Sequence, residues 1–142
     1  MAEVKRKYYS SGELEEEWFE INGIKEGEFN QYYPNGQLLY ICNYVNGLKE
    51  GEYKEYYDNG QLHLICNYVN GLREGEYKCY HKNGQLAGIS NYVNDNIEGE
   101  CKSYSYVESE LYCISNFVKG NIKNKKIYPY NNGKILEFIF NE

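Results

Sequence analysis

Short runs in which apolar and polar residues alternate cover most of this chain, and Asn-Gly pairs separate them. In residues 51–74, GEYKEYYDNGQLHLICNYVNGLRE, tyrosines and other strand-forming residues fill two such runs. Asn59-Gly60 separates the two runs and Asn70-Gly71 follows the second one. Both pairs favour tight turns because Asn and Gly tolerate positive φ. The pattern therefore predicts two short antiparallel strands in this segment, with a reversal after each.

The same unit recurs at an offset of 24 residues. Residues 27–50 read GEFNQYYPNGQLLYICNYVNGLKE, and residues 75–98 read GEYKCYHKNGQLAGISNYVNDNIE. A fourth unit begins at Gly99, where NGQL becomes VESEL and one inserted residue predicts a longer or bulged turn. Tandem units of this length pack mainly on their neighbours. We therefore expect residues 1–142 to form one all-β domain, an elongated, twisted, single-layer antiparallel sheet built as a β-meander.

Both ends of the chain depart from the unit. Residues 1–26 are expected to form a degenerate N-terminal cap, and residues 124–142 a C-terminal capping half-repeat whose turn contains Asn132-Gly133. The half-repeat ends in the apolar run ILEFIF. An apolar edge strand is a liability unless another strand pairs with it or covers it. We expect Ile135, Phe138 and Phe140 either to fold back as a cap or to pair with another chain, including a second copy in a homodimer.

The sequence leaves the register of the first hairpin open. A two-residue turn at Asn59-Gly60 places Tyr57 opposite Leu62 and Tyr53 opposite Cys66. A three-residue turn would shift this register by one residue and exchange neighbours between the two faces. With the two-residue turn, one face of the unit carries Tyr53, Tyr57, Leu62, Leu64, Cys66 and Tyr68, and the other carries Glu52, Lys54, Tyr56, His63, Ile65 and Asn67.

The pattern GxYxxYYxNGQLxxxxxYxNGxxxG, seen from Gly51 to Gly75, resembles the MORN repeat. It is more similar to the variant of bacterial toxin–antitoxin-type proteins and of large DNA viruses than to the repeat of eukaryotic junction proteins. The resemblance covers nearly the whole chain, although Cys101 replaces the usual aromatic residue in the Gly99 unit. It implies a non-enzymatic scaffold for protein–protein interaction. It also allows an antitoxin or immunity protein that neutralises a partner enzyme, or a peripheral phospholipid-binding protein.

Stacked units place equivalent side chains in ladders, about 10 Å apart at every second strand. Two aromatic ladders, Phe29/Tyr53/Tyr77 and Tyr44/Tyr68/Tyr92/Phe117, are expected to form the core, because a sheet must bury one face. The ladder of Tyr32, Tyr56 and Tyr80 is expected on the opposite face, where it is the better candidate for contact with a partner.

Two acidic ladders accompany the aromatic ones. They are Glu26/Glu50/Glu74/Glu98 and Glu28/Glu52/Glu76/Glu100. We expect both to form a solvated rim, neutralised by Lys25, Lys49 and Arg73 and by Lys54, Lys78 and Lys102. Their spacing does not resemble a calcium-binding loop.

No constellation of reactive residues indicates an enzyme, and we expect no cofactor or metal. Cys42 and Cys66 lie one unit apart, which is too far for a disulfide, and are expected to be small core residues. Cys79, His81 and His63 lack the spacing of a zinc site. A catalytic Cys–His pair would also need a pocket and an orienting group, which a thin sheet does not provide.

Charge and composition narrow the partners further. The 15 basic residues against 21 acidic ones give a net charge of −6, which argues against nucleic acid and against an anionic membrane surface. The N-terminus contains no signal-peptide pattern and no apolar run of membrane-spanning length is present, so a cytoplasmic protein is expected.

Overall fold

The computed structural model of this protein describes residues 1–129 and 135–140. Its strands are β1 (Ala2–Tyr8), β2 (Leu14–Ile21), β3 (Ile24–Tyr32), β4 (Leu38–Val45), β5 (Leu48–Lys49), β6 (Gly51–Tyr56), β7 (Leu62–Val69), β8 (Leu72–Arg73), β9 (Gly75–Tyr80), β10 (Leu86–Val93), β11 (Asn96–Ile97), β12 (Gly99–Tyr104), β13 (Leu111–Val118), β14 (Asn121–Ile127) and β15 (Leu136–Ile139).

These strands form one open antiparallel sheet in which neighbours in space follow each other in chain order. Only the two-residue strands β5, β8 and β11 leave this path, and each pairs with the strand that precedes it. The described residues contain no helix, and therefore none long and apolar enough to cross a membrane. The predicted all-β meander is confirmed.

The first turn of the unit is a three-residue loop rather than a two-residue turn. In the central unit the Tyr57 amide donates to the Gln61 carbonyl (2.8 Å) and the Gly60 amide donates to the Tyr57 carbonyl (2.9 Å). Of the pair Asn59-Gly60, only Gly60 has positive φ (83°). A turn followed by a glycine in the left-handed region is a common hairpin connection. Of the two alternatives that the sequence left open, the two-residue turn with Tyr57 opposite Leu62 is therefore excluded.

A β-bulge restores the register that this loop would otherwise shift. Tyr56 lies opposite Leu62 and Glu55 lies opposite Leu64, so His63 is the additional residue on β7. Beyond the bulge Tyr53 faces Cys66, as predicted. Because a bulge re-aims the side chain of its extra residue, His63 lies beside Tyr57, with ring centroids 4.4 Å apart, instead of on the opposite face.

The second turn of the unit is a two-residue turn at Asn70-Gly71, where φ is 50° and 81°. Val69 pairs with Leu72 across it. The Gly71 amide also donates to the carbonyl of Lys49 in the preceding unit (2.9 Å). Each such turn is therefore attached to the turn before it, and this edge of the sheet is continuous.

Side chains attach successive units at the other edge. The Tyr33 hydroxyl donates to the Tyr56 carbonyl (2.9 Å), and the Tyr57 hydroxyl donates to the Tyr80 carbonyl (2.8 Å). In the next unit His81 Nε2 lies 3.0 Å from the Tyr104 carbonyl oxygen. A tyrosine hydroxyl or an imidazole thus bonds backbone one unit away, which explains the second tyrosine of the YY pair.

The core lies on one face of the sheet, which we call the aromatic face. Its most buried side chain is Phe29, at 2% exposure, with Cys42, Tyr53 and Cys66 around it. Burial raises the pKa of Tyr44 and that of Tyr77 to about 12, as expected for rings in this layer. The core prediction is confirmed for the ladder Phe29/Tyr53/Tyr77 and for Tyr44, Tyr68 and Tyr92 of the other, whose last residue, Phe117, is half-buried. The total exposed surface, 8835 Å², exceeds the roughly 7,600 Å² of a globular monomer of this mass, as a thin sheet requires.

Both ends of the sheet extend the pattern. β1 and β2 form a hairpin whose register shifts between Lys7 and Tyr8, as it does between Glu55 and Tyr56 in the central unit. Trp18 of β2 stacks on Phe29 of β3, with ring centroids 6.2 Å apart. In the fourth unit the Ser105 amide donates to the Glu110 carbonyl (2.8 Å), so this loop is one residue longer than its equivalents, as predicted. At the C-terminal end β15 pairs with β14. The predicted turn at Asn132-Gly133 lies outside the described residues.

Candidate functional site

The predicted tyrosine ladder lies on the face opposite the core, which we call the polar face. Tyr56 and Tyr80 line two shallow grooves of about 530 and 630 Å³. The first groove also contains Lys54 and the second Lys78, together with isoleucine and glutamate side chains of neighbouring strands. Tyr32 takes the same position one unit earlier and, like the other two, is half-buried. The structure therefore gives Tyr56 and Tyr80 equivalent grooves, and the role of all three tyrosines in binding stays a prediction.

One acidic ladder behaves as the predicted solvated rim. Glu52 pairs with Lys54 at 2.5 Å, and Glu76 pairs with Lys78 at the same distance. In the fourth unit Glu100 lies 2.8 Å from Lys102. These pairs are exposed and contribute little to stability. In these three units the acid of this ladder is neutralised by the lysine two residues later.

The second acidic ladder has a structural role that sequence reasoning missed. Glu50 Oε2 accepts a hydrogen bond from the backbone amide of Asn70 (2.8 Å). Asn70 is the first residue of the two-residue turn that follows in the next unit. The same bond links Glu26 to Asn46, Glu74 to Asn94 and Glu98 to Lys119. These carboxylates therefore hold the turns together, a role beyond that of the predicted solvated rim. The constant spacing of 20 or 21 residues between acid and turn is the signal that could have shown it.

The basic residues beside this ladder do not neutralise it. Lys25 Nζ lies 4.1 Å from the centroid of the Phe29 ring, and Lys49 Nζ lies 4.6 Å from that of Tyr53. The Arg73 guanidinium carbon lies 4.2 Å from the centroid of the Tyr92 ring. The prediction that these three residues pair with the rim is wrong, because their cationic groups lie over aromatic rings, where they are attracted by the ring quadrupole.

Asp95 is the acidic partner of Arg73, at 2.5 Å from Nε. The hydrogen bond from Arg73 holds the pKa of Asp95 below its usual range. A carboxyl with a depressed pKa in the folded state contributes stability above its unfolded pKa of about 3.9 and loses it as the pH falls.

We expect Asp95→Asn to lower the urea midpoint at pH 7, with the difference from wild type shrinking as the pH falls below about 4. Urea unfolding at several pH values measures this. Glu76→Gln is the control, since the exposed pair of Glu76 with Lys78 lies on the polar face, away from Arg73, and should contribute little at any pH. A deficit of Asp95→Asn that is equally large at pH 3 would contradict the role of this ion pair.

The cysteines lie where small core residues were expected. Cys42 and Cys66 are buried and free, and Ser90 occupies the equivalent position one unit later. Burial raises the pKa of Cys66 to about 11 and raises that of Cys42 as well. Both thiols are therefore protonated at neutral pH, a state with little nucleophilic reactivity.

The histidines take separate partners. His63 Nδ1 lies 2.9 Å from Glu55 Oε1, and the Tyr53 hydroxyl donates to Glu55 Oε2 (3.0 Å). His81 contacts the Tyr104 backbone. Within residues 1–129 and 135–140, no group of three His, Cys, Asp or Glu side chains is arranged to hold a metal ion.

The predicted edge strand is present and exposed. Its apolar residues are 44–73% exposed, and they are Ile135, Leu136, Phe138, Ile139 and Phe140. Within the described residues β15 has β14 as its strand neighbour and no strand on its other side. At the opposite end of the sheet, β1 is rich in charge, and Lys5, Arg6 and Lys7 pair with acids of β2 or of β1 itself.

An open sheet that repeats every 24 residues, with its units bonded at both edges, defines a β-repeat protein. Three consecutive segments, residues 25–46, 49–70 and 73–94, match the MORN repeat variant, so the chain carries three tandem MORN repeats. Repeats of this type are generally protein- or membrane-binding motifs. The unit from Gly99 continues the same strand pattern beyond the matched segments. No curated protein sequence matches the chain.

Proposed function

We propose that this protein is a non-enzymatic binding scaffold that recognises other proteins and associates with a second copy of itself through β15. The observation that carries the proposal is the exposed apolar strand at one end of the sheet. Exposed apolar surface of this kind marks interaction sites. A free strand edge also offers unpaired backbone groups to a partner strand.

The backbone geometry of β15 suits pairing with an identical strand. The Phe140 amide donates to the Lys123 carbonyl (2.8 Å), towards β14. Because backbone groups alternate along a strand, those of Glu137 and Ile139 point away from β14. Two antiparallel copies centred on Phe138 would exchange hydrogen bonds between Glu137 and Ile139. The same register places Leu136 opposite Phe140, so apolar side chains meet across the two-fold axis.

Two substitutions test this interface by different means. Phe138→Glu places two carboxylates opposite each other, which is destabilising across a strand pair. Ile139→Pro removes an outward-pointing amide without touching the bonds to β14. We expect the wild type to be dimeric in light scattering and both variants to be monomeric.

Val69→Glu is the control, because Val69 is exposed at a turn remote from β15. It should remain dimeric. A monomeric wild type at concentrations up to hundreds of micromolar, or variants that keep the dimer mass, would overturn the proposed association.

The finer assignments rest on the resemblance alone. The matched repeat family distinguishes neither a viral protein nor a toxin-neutralising one, and both remain predictions. Contact by Tyr32, Tyr56 and Tyr80 is likewise a prediction, supported by the grooves that Tyr56 and Tyr80 line.

A further inference from the structure

A row of cationic groups crosses the aromatic face, one for each matched repeat. Lys25 Nζ lies within 5.3 Å of three ring centroids, those of Trp18, Phe29 and Tyr44. Lys49 Nζ lies within 5.5 Å of three ring centroids as well, those of Tyr40, Tyr53 and Tyr68, of which the last two are the equivalents of Phe29 and Tyr44. Arg73 continues the row over Tyr92. Equivalent positions lie one unit apart, which is about 10 Å in a sheet of this kind.

The third cationic residue of the row, Arg73, is paired with a carboxylate of the same chain. Asp95 is the second residue of the two-residue turn that follows Arg73, and its side chain binds the guanidinium. The equivalent turn residue is Gly71 for Lys49 and Gly47 for Lys25. The turns are attached alike, since the amides of Gly47, Gly71 and Asp95 all donate to the carbonyl of the corresponding cationic residue. Glycine has no side chain, so the first two cations receive no carboxylate from this position.

No other carboxylate takes its place. Among residues 1–129 and 135–140, neither Lys25 nor Lys49 has an acidic group within ion-pair distance, in contrast to Lys54 and Lys78 on the polar face. The glutamates of the aromatic face are engaged elsewhere. Glu20 accepts from Trp18 Nε1 (3.1 Å) and pairs with Lys5 (3.5 Å). Glu55 binds the Tyr53 hydroxyl and His63.

We propose that Lys25 and Lys49 bind two carboxylates of an acidic peptide segment of a partner protein, in the place that Asp95 takes on Arg73. A polyproline-II segment fits the row best. It rises about 3.1 Å per residue with three residues per turn, so acidic residues three apart point the same way at about 9 Å. The aromatic rings around the two ammonium groups provide the flat surface on which such segments pack. This surface is separate from β15, and its occupant is a different partner.

A pair of short synthetic peptides tests the spacing. One contains the core Asp-Pro-Pro-Asp, and the other contains the same residues as Asp-Asp-Pro-Pro. Fluorescence anisotropy with each labelled peptide measures binding to the full chain. We expect the first peptide to bind about tenfold more tightly, the change that corresponds to one lost ionic contact of about 1.4 kcal/mol. We also expect its affinity to fall as salt is added.

One substitution should occupy the site of Lys49 with a carboxylate of the chain itself and so compete with the peptide. Gly71→Asp places a carboxylate beside Lys49 in the position of Asp95. An added Cβ there meets Leu48 at an ordinary 3.5 Å, and Asp95 itself has a φ of 66°. We expect Gly71→Asp and Lys49→Met each to weaken the first peptide about tenfold, the same single-contact loss. Gly71→Asn, with the same shape and no charge, and Lys78→Met on the polar face should stay within about twofold of wild type.

Several outcomes would overturn the proposal. They are equal binding of the two peptides, no binding of either at millimolar concentration, or an equal loss in Gly71→Asn and Gly71→Asp. Flotation with phosphatidylserine vesicles tests the alternative partner, an anionic lipid surface. Vesicle binding that Lys49→Met abolishes, together with no peptide binding, would assign the row to lipid instead. Phe138 lies at the other end of the sheet from Lys25 and Lys49, so Phe138→Glu leaves both cations and the rings around them unchanged. The peptide test therefore stands whether or not the chain dimerises through β15.

Discussion

Deleting residues 51–74, one whole unit, is expected to leave a folded sheet, whereas deleting only residues 51–62 is expected to prevent folding. The long deletion joins Glu50 to Gly75, which occupies the same position in its unit as Gly51. Tyr77 then takes the place of Tyr53 in the core, and the turn bonds at both edges are formed by equivalent residues. Because each unit contacts mainly its neighbours, removing one shortens the sheet without changing its interior.

The short deletion reverses the two faces. It joins Glu50 to His63, so Leu64 and Cys66 fall where Glu52 and Lys54 lay on the polar face. A one-position change in strand phase moves every following side chain to the other face. The remaining chain would then expose its core residues and bury charged ones, which carries a large penalty.

Circular dichroism and urea unfolding distinguish the two deletions. For the deletion of residues 51–74 we expect a strand spectrum and a cooperative transition. Its urea m-value should fall by roughly one sixth, in proportion to the surface lost. For the deletion of residues 51–62 we expect no cooperative transition. A cooperative, soluble fold in the short deletion, or its absence in the long one, would contradict the repeat architecture described above.

Replacing Phe29 by alanine is expected to lower the free energy of unfolding by about 3–5 kcal/mol. Phe29 is 2% exposed and lies between Trp18 and Tyr40, with ring centroids 6.2 and 5.4 Å away. Removing its ring leaves a cavity in the part of the core that is most completely closed. It also removes the ring beneath Lys25 Nζ.

The loss should be concentrated in the N-terminal half of the sheet, because repeat units unfold with their neighbours. Amide hydrogen exchange should therefore show faster exchange in β2 and β3 than in β12 and β13. Val45→Ala is the matched control, since Val45 is 40% exposed and its truncation should cost less than about 0.5 kcal/mol. A uniform change along the chain, or a loss below 1 kcal/mol, would contradict this account.

The architecture was predictable because the repeat carries its own turn chemistry. Asn70-Gly71 supplied the two positive φ values of a tight turn, and the alternation of Tyr and polar residues placed Phe29 and Tyr53 in the core. The first hairpin was less predictable. Asn59-Gly60 has the composition of a two-residue turn but lies in a three-residue loop, and the bulge at His63 compensates for the difference. The loop and the bulge each shift the strand register by one residue, in opposite directions. The alternation of apolar and polar residues after His63 is therefore the same as it would be with a two-residue turn.

The ionic groups were the least predictable part. Glu50 and Glu52 both looked like rim residues, yet one holds a turn amide and the other pairs with a lysine. Neighbouring charges in sequence lie on different faces of a strand, so Lys49 was assigned to the wrong carboxylate. The position of Lys49 over aromatic rings depends on the packing of three strands, β4, β6 and β7, which carry Tyr40, Tyr53 and Tyr68. The sequence signals the cationic row only where its third member differs from the first two. There Arg73 stands in place of lysine, and Asp95 stands in place of the turn glycine.

The meander also determines how the molecule would respond to force. Its strands run across the long axis, and β1 and β15 lie at opposite ends of the sheet. Tension between those ends would peel one strand from the next and load only a few backbone hydrogen bonds at a time. The bonds of the Tyr57 hydroxyl and the Gly71 amide to neighbouring units would break in turn. A sheet built this way resists shear along its strands but extends under a pull along its axis, unit by unit.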